Sequence, residues 1–265
     1  MATSPVTLPR QRISGVPVLL YHRVGTEAQA RQDKYSVSAR ALLEHLRFLQ
    51  RHARVILVKE LPRLPPPQEV TCALTFDDGG ESDFQHAFPL LLETGLPATF
   101  FINTAHAGKR GYLSWAQMRE MQRAGMSFQS HGHQHVNFAR LPRATAVSEL
   151  QLSRGLLEQK LGCAVDCFAA PYGLVNRRLI SAAREAGFKL ICTSHNWPAK
   201  PGRQIAGRIA VHAGAGLPEF QKLVWAAAAP LLRRSLREAA LWAPKLVAQW
   251  IWPQRFRVPV PEDAA

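Results

Sequence analysis

Short apolar segments alternate along the chain with longer segments of helical pattern. The segments with the length and apolar content of strands are 16–22, 54–58, 70–78, 97–104, 127–135, 166–173, 188–195 and 204–212. Most are apolar at successive positions, which is typical of parallel strands covered by helices on the outside. The repeated strand–helix alternation predicts an α/β fold whose parallel sheet is closed or nearly closed into a barrel.

The predicted helices carry clear start and stop signals. Ser82, Ser114 and Asn176 precede three of them, and their side-chain oxygens can accept the unpaired amide hydrogens of a first turn. Gly95, Gly125 and Gly187 follow the same helices, where glycine adopts the left-handed conformation that ends a helix. Functional residues are then expected where strands end and helices begin.

The composition divides the chain into three parts. Residues 1–14 are polar, which predicts a flexible N-terminus. Residues 15–223 carry the strand–helix alternation of a single domain. Residues 224–265 predict a basic helical extension that contains four of the six tryptophans, namely Trp225, Trp242, Trp250 and Trp252. Helices with apolar and cationic faces can lie on an anionic membrane surface, and the alternative is a helix that packs across the bottom of the barrel.

The formal net charge of +14 suggests an anionic partner without identifying it. No nucleic-acid-binding motif accompanies the charge, so no nucleic acid is expected. The four cysteines lack metal-binding spacing and are interpreted as free thiols of a reducing compartment. The first residues contain no apolar run of signal-peptide length. We therefore expect a cytoplasmic protein, peripheral at the inner face of the membrane.

Two adjacent carboxylates, Asp77 and Asp78, follow an apolar strand and precede Gly79. Neighbouring carboxylates repel each other, so a purely structural site gains little from the pair. A nearby cation reduces that repulsion. One carboxylate can then bind a metal while the other acts as a general base.

The segment "SHGHQH" supplies three histidines within five residues, His131, His133 and His135. His131 and His135 share one face of a helical turn, a frequent geometry for a metal site, whereas all three share a face of an extended strand. Spacing alone therefore leaves the role of His133 open. Two histidines and one carboxylate make a site for a divalent metal, first of all Zn²⁺, with Co²⁺, Ni²⁺ and Mn²⁺ as alternatives.

The segments "TFDDG" (75–79), "SHGHQH" (130–135) and "PYG" (171–173) resemble, in order and approximate spacing, the polysaccharide deacetylases with a NodB homology domain. These enzymes form carbohydrate esterase family 4. The segment "VPVLLYHRVG" (16–25) is similar to members with an N-terminal YHRV-type motif. The resemblance implies a distorted (β/α)7-type barrel and covers about residues 15–223.

The resemblance also implies roles for individual residues. Asp77 is the expected general base, and Asp78, His131 and His135 are the expected metal ligands. The backbone amide of Tyr172 is expected to stabilise the oxyanion. The implied activity is that of a metal-dependent carbohydrate amide hydrolase, which removes acetate from an N-acetylhexosamine unit of a glycan.

Two departures from the family pattern affect these expectations. Ala169 stands where family members often have the arginine that holds the catalytic aspartate, and Arg208 is the candidate replacement, with an ordinary ion pair at the barrel end as the alternative. The C-terminal Leu-x-x-His motif of the general acid is also missing, but "LLYH" (19–22) has that pattern. The first and last strands of a closed barrel are neighbours, so His22 is the expected acid.

Other residues are secondary candidates for this site. His212 and then His195 follow His22 as candidates for the acid, with a structural histidine after a buried strand as the alternative for His22. The acid-tuning Asp-x-x-Asp-Trp motif is not recognisable. Trp197 is a candidate to line the acetyl or sugar pocket, and packing is the alternative role.

A lipid-linked or lipopolysaccharide-core precursor is the expected glycan, because the absence of a signal peptide argues against secreted polymers. One alternative function is a non-catalytic glycan-binding or scaffold protein on the same fold, although pure binding needs no paired carboxylates. A basic nucleic-acid-binding protein is a further alternative, and it lacks a recognisable binding module.

Overall fold

A curled sheet of parallel strands forms the centre of the fold. The structure is a computed structural model and describes residues 14–226. In chain order its strands are β1 (Val18–Tyr21), β2 (Arg23–Gly25), β3 (Ser36–Ser38), β4 (Arg54–Ile56), β5 (Thr71–Phe76), β6 (Thr99–Ile102), β7 (Ser127–Ser130), β8 (Cys167–Ala169), β9 (Leu190–Cys192), β10 (Ile205–Ala206) and β11 (Ile209–Ala210).

Helices fill most of the connections between these strands. The α-helices are α1 (Glu27–Gln32), α2 (Ala39–His52), α3 (Phe88–Thr94), α4 (Trp115–Arg123), α5 (Arg143–Leu161), α6 (Arg177–Glu185) and α7 (Leu217–Val224). Between residues 14 and 226, no helix combines the length and apolarity needed to cross a membrane.

The strand order is that of a distorted barrel. Nine strands form one sheet in the order β10-β9-β8-β7-β6-β5-β1-β11, with β4 also paired to β5, and every pair is parallel. Strands β2 and β3 form a separate parallel pair. Within the described chain β10 and β11 share no ladder, and the polypeptide passes between them through Gly207 and Arg208. The α/β barrel expectation is confirmed, with a sheet that curls without closing completely.

The register of the sheet explains how both of its faces are covered. Phe76, Phe100 and Phe128 are register neighbours on β5, β6 and β7, and their rings stack at centroid distances of 5.0 and 5.6 Å. Phe101 and Ala73 point to the opposite face, in a second buried cluster. Successive strand residues thus bury opposite faces, as in a parallel sheet that carries helices on its outer side.

The structure agrees with the predicted helix-capping residues, except at Ser82. Ser114 and Gln117 form a reciprocal capping box at the start of α4, and the Asn176 side chain accepts the amide of Leu179 at 2.9 Å at the start of α6. Ser82 makes no capping hydrogen bond, because one π-helical turn, Asp83–Ala87, precedes α3. Gly95 ends α3 in the left-handed conformation, as expected.

The domain boundaries predicted at residues 14 and 223 stay a prediction. Residues 1–13 and 227–265 lie outside the described residues, and with them Trp242, Trp250, Trp252 and nearly all of the predicted extension. Trp225 directly follows α7 and is buried, with its ring 6.0 Å from that of Phe48 on α2. This tryptophan therefore packs in the core.

His45 is a fully buried imidazole that joins three parts of the fold. Its Nε2 lies 2.8 Å from the carbonyl oxygen of Ala215, and its Nδ1 lies 3.2 Å from the hydroxyl of Tyr21. The ring stacks on Phe220 of α7 at 3.9 Å. Burial lowers the pKa of His45 to about 4. The hydrogen bonds then fit a neutral ring that donates from Nε2 and accepts at Nδ1.

We expect the fold to lose stability on acidification, because the unfolded chain binds a proton at His45 below a pKa of about 6.5 and the folded chain does not. The contribution of His45 is fully present above pH 6.5 and is lost as the pH falls towards 4, by about 3 kcal/mol in all. Urea unfolding of the wild type and of His45→Gln across this range measures the difference. His52→Gln, an exposed position on the same helix, is the control. An unchanged pH slope in His45→Gln would contradict the assignment.

Candidate active site

The predicted site residues meet at the carboxyl ends of the strands. Asp77 follows β5, His131 follows β7 and His22 follows β1. Tyr21 pairs with Phe76 in the sheet register, so His22 and Asp77 leave adjacent strands at the same level. Arg208 lies in the link between β10 and β11, beside β1. This end of a parallel barrel is where side chains from different strands can converge.

The backbone directs Asp77 and Asp78 to different partners. Asp78 has φ 74° and Gly79 has φ 67°, so the chain bends sharply after Asp77. Glycine is favoured at position 79 because of this positive φ, and a Cβ there would also lie 2.8 Å from Cδ1 of Ile102. The amide of Asp77 continues the sheet by donating to the carbonyl of Tyr21 at 3.0 Å. The adjacent carboxylates consequently enter different environments.

Asp77 is held by Arg208 through two hydrogen bonds. Nη1 of Arg208 donates to Oδ1 at 2.6 Å, and Nη2 donates to Oδ2 at 2.7 Å. Both residues are buried, with 2% and 0% of their surface exposed. Nε of Arg208 donates to the carbonyl of Thr193 at 3.1 Å, which fixes the plane of the guanidinium. Arg208 and Asp77 thus form a bidentate ion pair. Arg208 is the residue that the sequence nominated to replace the arginine missing at position 169.

The pKa of Asp77 reflects these contacts. Burial alone would raise it, but the charges of Arg208 and His131 hold the pKa of Asp77 below its usual value. The pKa of Arg208 is raised in turn, because Asp77 outweighs the effect of burial. Asp77 is therefore ionised throughout the neutral range.

Asp78, His131 and His135 form a compact set of potential metal ligands. Oδ1 of Asp78 lies 3.4 Å from Nε2 of His131 and 3.3 Å from Nε2 of His135, and one donor atom from each residue lies within 4.8 Å of the others. Burial would raise the pKa of Asp78, but hydrogen bonds from both histidines hold it far below its usual value. Burial would lower the pKa of His131, and the two aspartates raise it above its ordinary value.

The residues of this set fit a divalent cation. Nδ1 of His131 lies 2.9 Å from the carbonyl oxygen of Ala169, which leaves Nε2 free to face Asp78. Such a hydrogen bond fixes the ring of a metal-binding histidine and selects its tautomer. Two imidazole nitrogens and one carboxylate oxygen are a typical donor set for Zn²⁺ and similar ions. His133 is directed elsewhere, with Nδ1 2.8 Å from the hydroxyl of Thr104.

The histidine segment is a loop in the structure, although its spacing suggested a helical turn or a strand. Strand β7 ends at Ser130, and His135 has φ 54°. Asp78, His135 and Tyr172 are three of the four non-glycine residues with positive φ among those described. Each such position costs on the order of 1 kcal/mol or more and persists where its surroundings enforce it. Their concentration at one site is typical of a functional centre.

A cleft of about 410 Å³ opens above these residues. It is lined by His22, Arg23, Asp78, Gly80, Asn103, His106, Gly111, Tyr112 and His135. Burial lowers the pKa of His22, opposed by the charges of Asp77 and Asp78. The structure thus brings His22 to the same cleft as the metal-ligand set.

The secondary candidates lie at or beyond the edge of this cleft. Tyr172 has φ 62°, and its ring centroid is 5.0 Å from that of His135. His212 approaches Tyr35, which also contacts His22, but His212 is not among the lining residues. Trp197 and His195 are exposed and do not line the cleft. The roles of Tyr172, His212 and Trp197 stay predictions.

Sequence reasoning missed two groups of residues near the site. Asn103, His106 and Tyr112 line the cleft, and the only signal for them was their place at the end of the predicted strand 97–104 or shortly after it. Asp83 is fully buried, and neither of its carboxylate oxygens has a hydrogen-bond partner. Burial, Asp78 and Asp77 raise the pKa of Asp83 well above its usual value. The negative charge of the site is thus concentrated on Asp77 and Asp78.

Comparison with known proteins adds to this geometry. A family model described as polysaccharide deacetylase matches residues 65–191, which include Asp77, Asp78, His131, His135 and Tyr172. Over these residues the chain is similar to the polysaccharide deacetylase family. His22 and Arg208 lie outside the matched residues, so their assignment rests on the geometry described above.

Two relatives and one solved structure illustrate this similarity. The YxkH protein of Bacillus subtilis (strain 168) is 27% identical over 184 residues, which is 68% of this chain and 64% of YxkH. A poly-beta-1,6-N-acetyl-D-glucosamine N-deacetylase of Staphylococcus aureus (strain MRSA252) is 27% identical over 175 residues, 58% of this chain and 60% of the relative. The chain thus spans less than two thirds of either relative. The Streptococcus pyogenes deacetylase PplD shares the deacetylase fold with a TM-score of 0.74 at 22% identity, covering 81% of this chain and 99% of PplD.

Proposed function

We propose that this protein is a metal-dependent hydrolase of the polysaccharide deacetylase family that removes acetate from an N-acetylhexosamine unit of a glycan. The main observation behind the proposal is that two adjacent carboxylates contact different groups. Asp77 is clamped and kept ionised by Arg208, whereas Asp78 faces two histidines in a set that suits a divalent cation. Amide hydrolysis through an activated water needs a base and a metal side by side.

Asp78, His131 and His135 would hold the cation, with Zn²⁺ as first choice and Co²⁺, Ni²⁺ or Mn²⁺ as alternatives. When bound, the cation supplies Lewis-acid polarisation of the acetamide carbonyl and lowers the pKa of water. Ala169 contributes through its carbonyl oxygen, which orients the ring of His131.

The remaining residues move and stabilise charge. Asp77 accepts a proton from the attacking water, whose oxygen forms the new bond to the acetyl carbon. The Tyr172 amide, in a left-handed turn, would donate to the oxygen that becomes negative. His22 gives a proton to the nitrogen as the C–N bond breaks, so that acetate and a free amine leave.

The glycan is proposed from the relatives and from the sequence. The staphylococcal relative is named for poly-beta-1,6-N-acetyl-D-glucosamine, which makes β-linked N-acetylglucosamine oligomers the first substrates to test. A lipid-linked or lipopolysaccharide-core precursor at the cytoplasmic membrane face is the second proposal. That placement depends on basic residues beyond position 226, outside the described residues.

We expect the wild type to release acetate from N-acetylglucosamine oligomers, and Asp78→Asn to lose most of this activity together with its bound metal. The physical reason is that a neutral amide oxygen is a poorer ligand than a carboxylate between two imidazoles. Acetate release and metal content, measured before chelation and after metal is restored, test the expectation.

The matched control is Asp166→Asn, because Asp166 pairs with Lys189 at the opposite end of β8 from Tyr172. Full activity of Asp78→Asn without metal would refute the proposal. Binding of the oligomers without any acetate release would instead support a non-catalytic glycan-binding protein.

A further inference from the structure

One wall of the cleft has no role in the chemistry described so far. It consists of Asn103, His106 and Tyr112, here named the Asn103 wall. We propose that the Asn103 wall recognises hydroxyl groups of the sugar whose acetamide is cleaved and so determines specificity for N-acetylhexosamines over other acetylated compounds. The inference rests on the proposed function and identifies additional residues that would select its substrate.

The Asn103 wall is held firmly against the catalytic loops. The amides of Thr104 and Ala105 donate to the carbonyls of Gly132 and His133 at 3.2 and 3.0 Å. At the other end, the amide of Leu113 donates to the carbonyl of Gly79 at 2.9 Å. The segment 103–113 therefore bridges the aspartate loop and the histidine loop. A surface fixed in this way can position a ligand relative to Asp78 without a large loss of its own freedom.

Two polar atoms of the Asn103 wall are buried without a hydrogen-bond partner. Asn103 is 2% exposed, and its Oδ1 has no partner. Nδ1 of His106 is also unpaired, while its ring lies 4.7 Å from that of Tyr112. Most buried polar atoms in proteins are hydrogen-bonded, so unpaired ones that line a cleft indicate a missing partner. A ligand that supplies hydroxyl groups would satisfy both atoms.

The chemistry of the wall favours a neutral sugar. An amide oxygen, an imidazole nitrogen and a phenol offer hydrogen bonds, and none of the three carries a fixed charge. The flat faces of His106 and Tyr112 can also contact the apolar face of a sugar ring. A small number of directed polar groups beside aromatic surface is the usual composition of a specific small-molecule pocket.

The test compares two acetyl donors. One is an N-acetylglucosamine tetramer, and the other is 4-nitrophenyl acetate, which offers an acetyl group without a sugar. Asn103→Ala removes the unpaired oxygen, and His106→Phe removes Nδ1 while keeping an aromatic ring against Tyr112. We expect each variant to lose at least about tenfold in kcat/KM on the tetramer, as a lost hydrogen bond predicts. Hydrolysis of 4-nitrophenyl acetate should stay within about twofold of wild type, because the base and ligand set are untouched.

The control is His52→Ala, an exposed histidine outside the cleft, which should leave both activities unchanged. Equal losses on both donors would show that the wall only supports the catalytic loops, and no loss on the tetramer would show that it does not contact the sugar. Either result overturns the inference.

If the wild type hydrolyses neither donor, the proposed function fails, and binding of the tetramer then tests the wall by itself. Binding is measured by titrating the tetramer into the wild type and into Asn103→Ala. Weaker binding by Asn103→Ala than by the wild type would then support the wall as a sugar site. Equal binding, or no binding by the wild type, would overturn it.

Discussion

Replacing Asp77 with asparagine is expected to lower kcat for acetate release by about 10²–10⁴-fold, the usual contribution of a general base. The substitution keeps the shape of the side chain but removes its negative charge, so it removes both the proton acceptor and the ion pair with Arg208. Asp78 and both histidines are unchanged, so metal content should be retained. Steady-state rates on N-acetylglucosamine oligomers, together with metal analysis of the same samples, measure both quantities.

The activity of Asp77→Asn can be interpreted only if this variant is still folded. Circular dichroism spectra and Asp166→Asn serve as controls for folding and for the loss of a carboxylate elsewhere. Activity of Asp77→Asn equal to that of the wild type, with metal bound, would exclude Asp77 as the base.

Replacing Arg208 with methionine is expected to destabilise the protein by about 3–5 kcal/mol, because it leaves a buried carboxylate without its partner. Arg208 is wholly buried and makes both of its contacts to Asp77 at 2.7 Å or less. Without the guanidinium, burial would raise the pKa of Asp77. The variant should therefore also lose activity at neutral pH through partial protonation of the base.

Urea unfolding at pH 7 measures the first effect, and a double variant identifies its cause. Asp77→Asn combined with Arg208→Met removes the buried charge as well as its partner, so it should be more stable than Arg208→Met alone. Arg40→Met is the matched control, since Arg40 pairs with Glu44 on the exposed surface of α2. An Arg208→Met variant as stable as Arg40→Met would contradict the role given to this ion pair.

Much of the fold was predictable because its signals are local. The strands are runs of apolar residues, and the capping residues Ser114 and Asn176 act on amides within their own first turn. The α4 boundary thus followed from residues three positions apart. Ser82 failed as a capping residue because the π-helical turn after it depends on how that segment packs against the sheet, which no local pattern records.

The candidate site was predictable only in part, for the same physical reason. Asp77, Asp78, His131 and His135 stand out as clusters of functional side chains in short segments. The contact between Arg208 and Asp77 joins positions 131 residues apart, and the sequence could only nominate the arginine. Asn103 and His106 carry no pattern of their own. Their importance emerges from an unpaired oxygen and an unpaired nitrogen in a cleft, which are properties of the folded chain.

The bend at Asp78 and Gly79 gives two neighbouring acids different main partners. Asp77 is tied to a guanidinium on its inner side, while Asp78 turns towards the imidazoles. Under the proposed mechanism, substitutions at Asp78 or His135 would alter the cation preference while Arg208 continues to hold Asp77. Nε2 of His131 lies 3.9 Å from Oδ2 of Asp77 and 3.4 Å from Oδ1 of Asp78, so a change at this histidine would reach both acids.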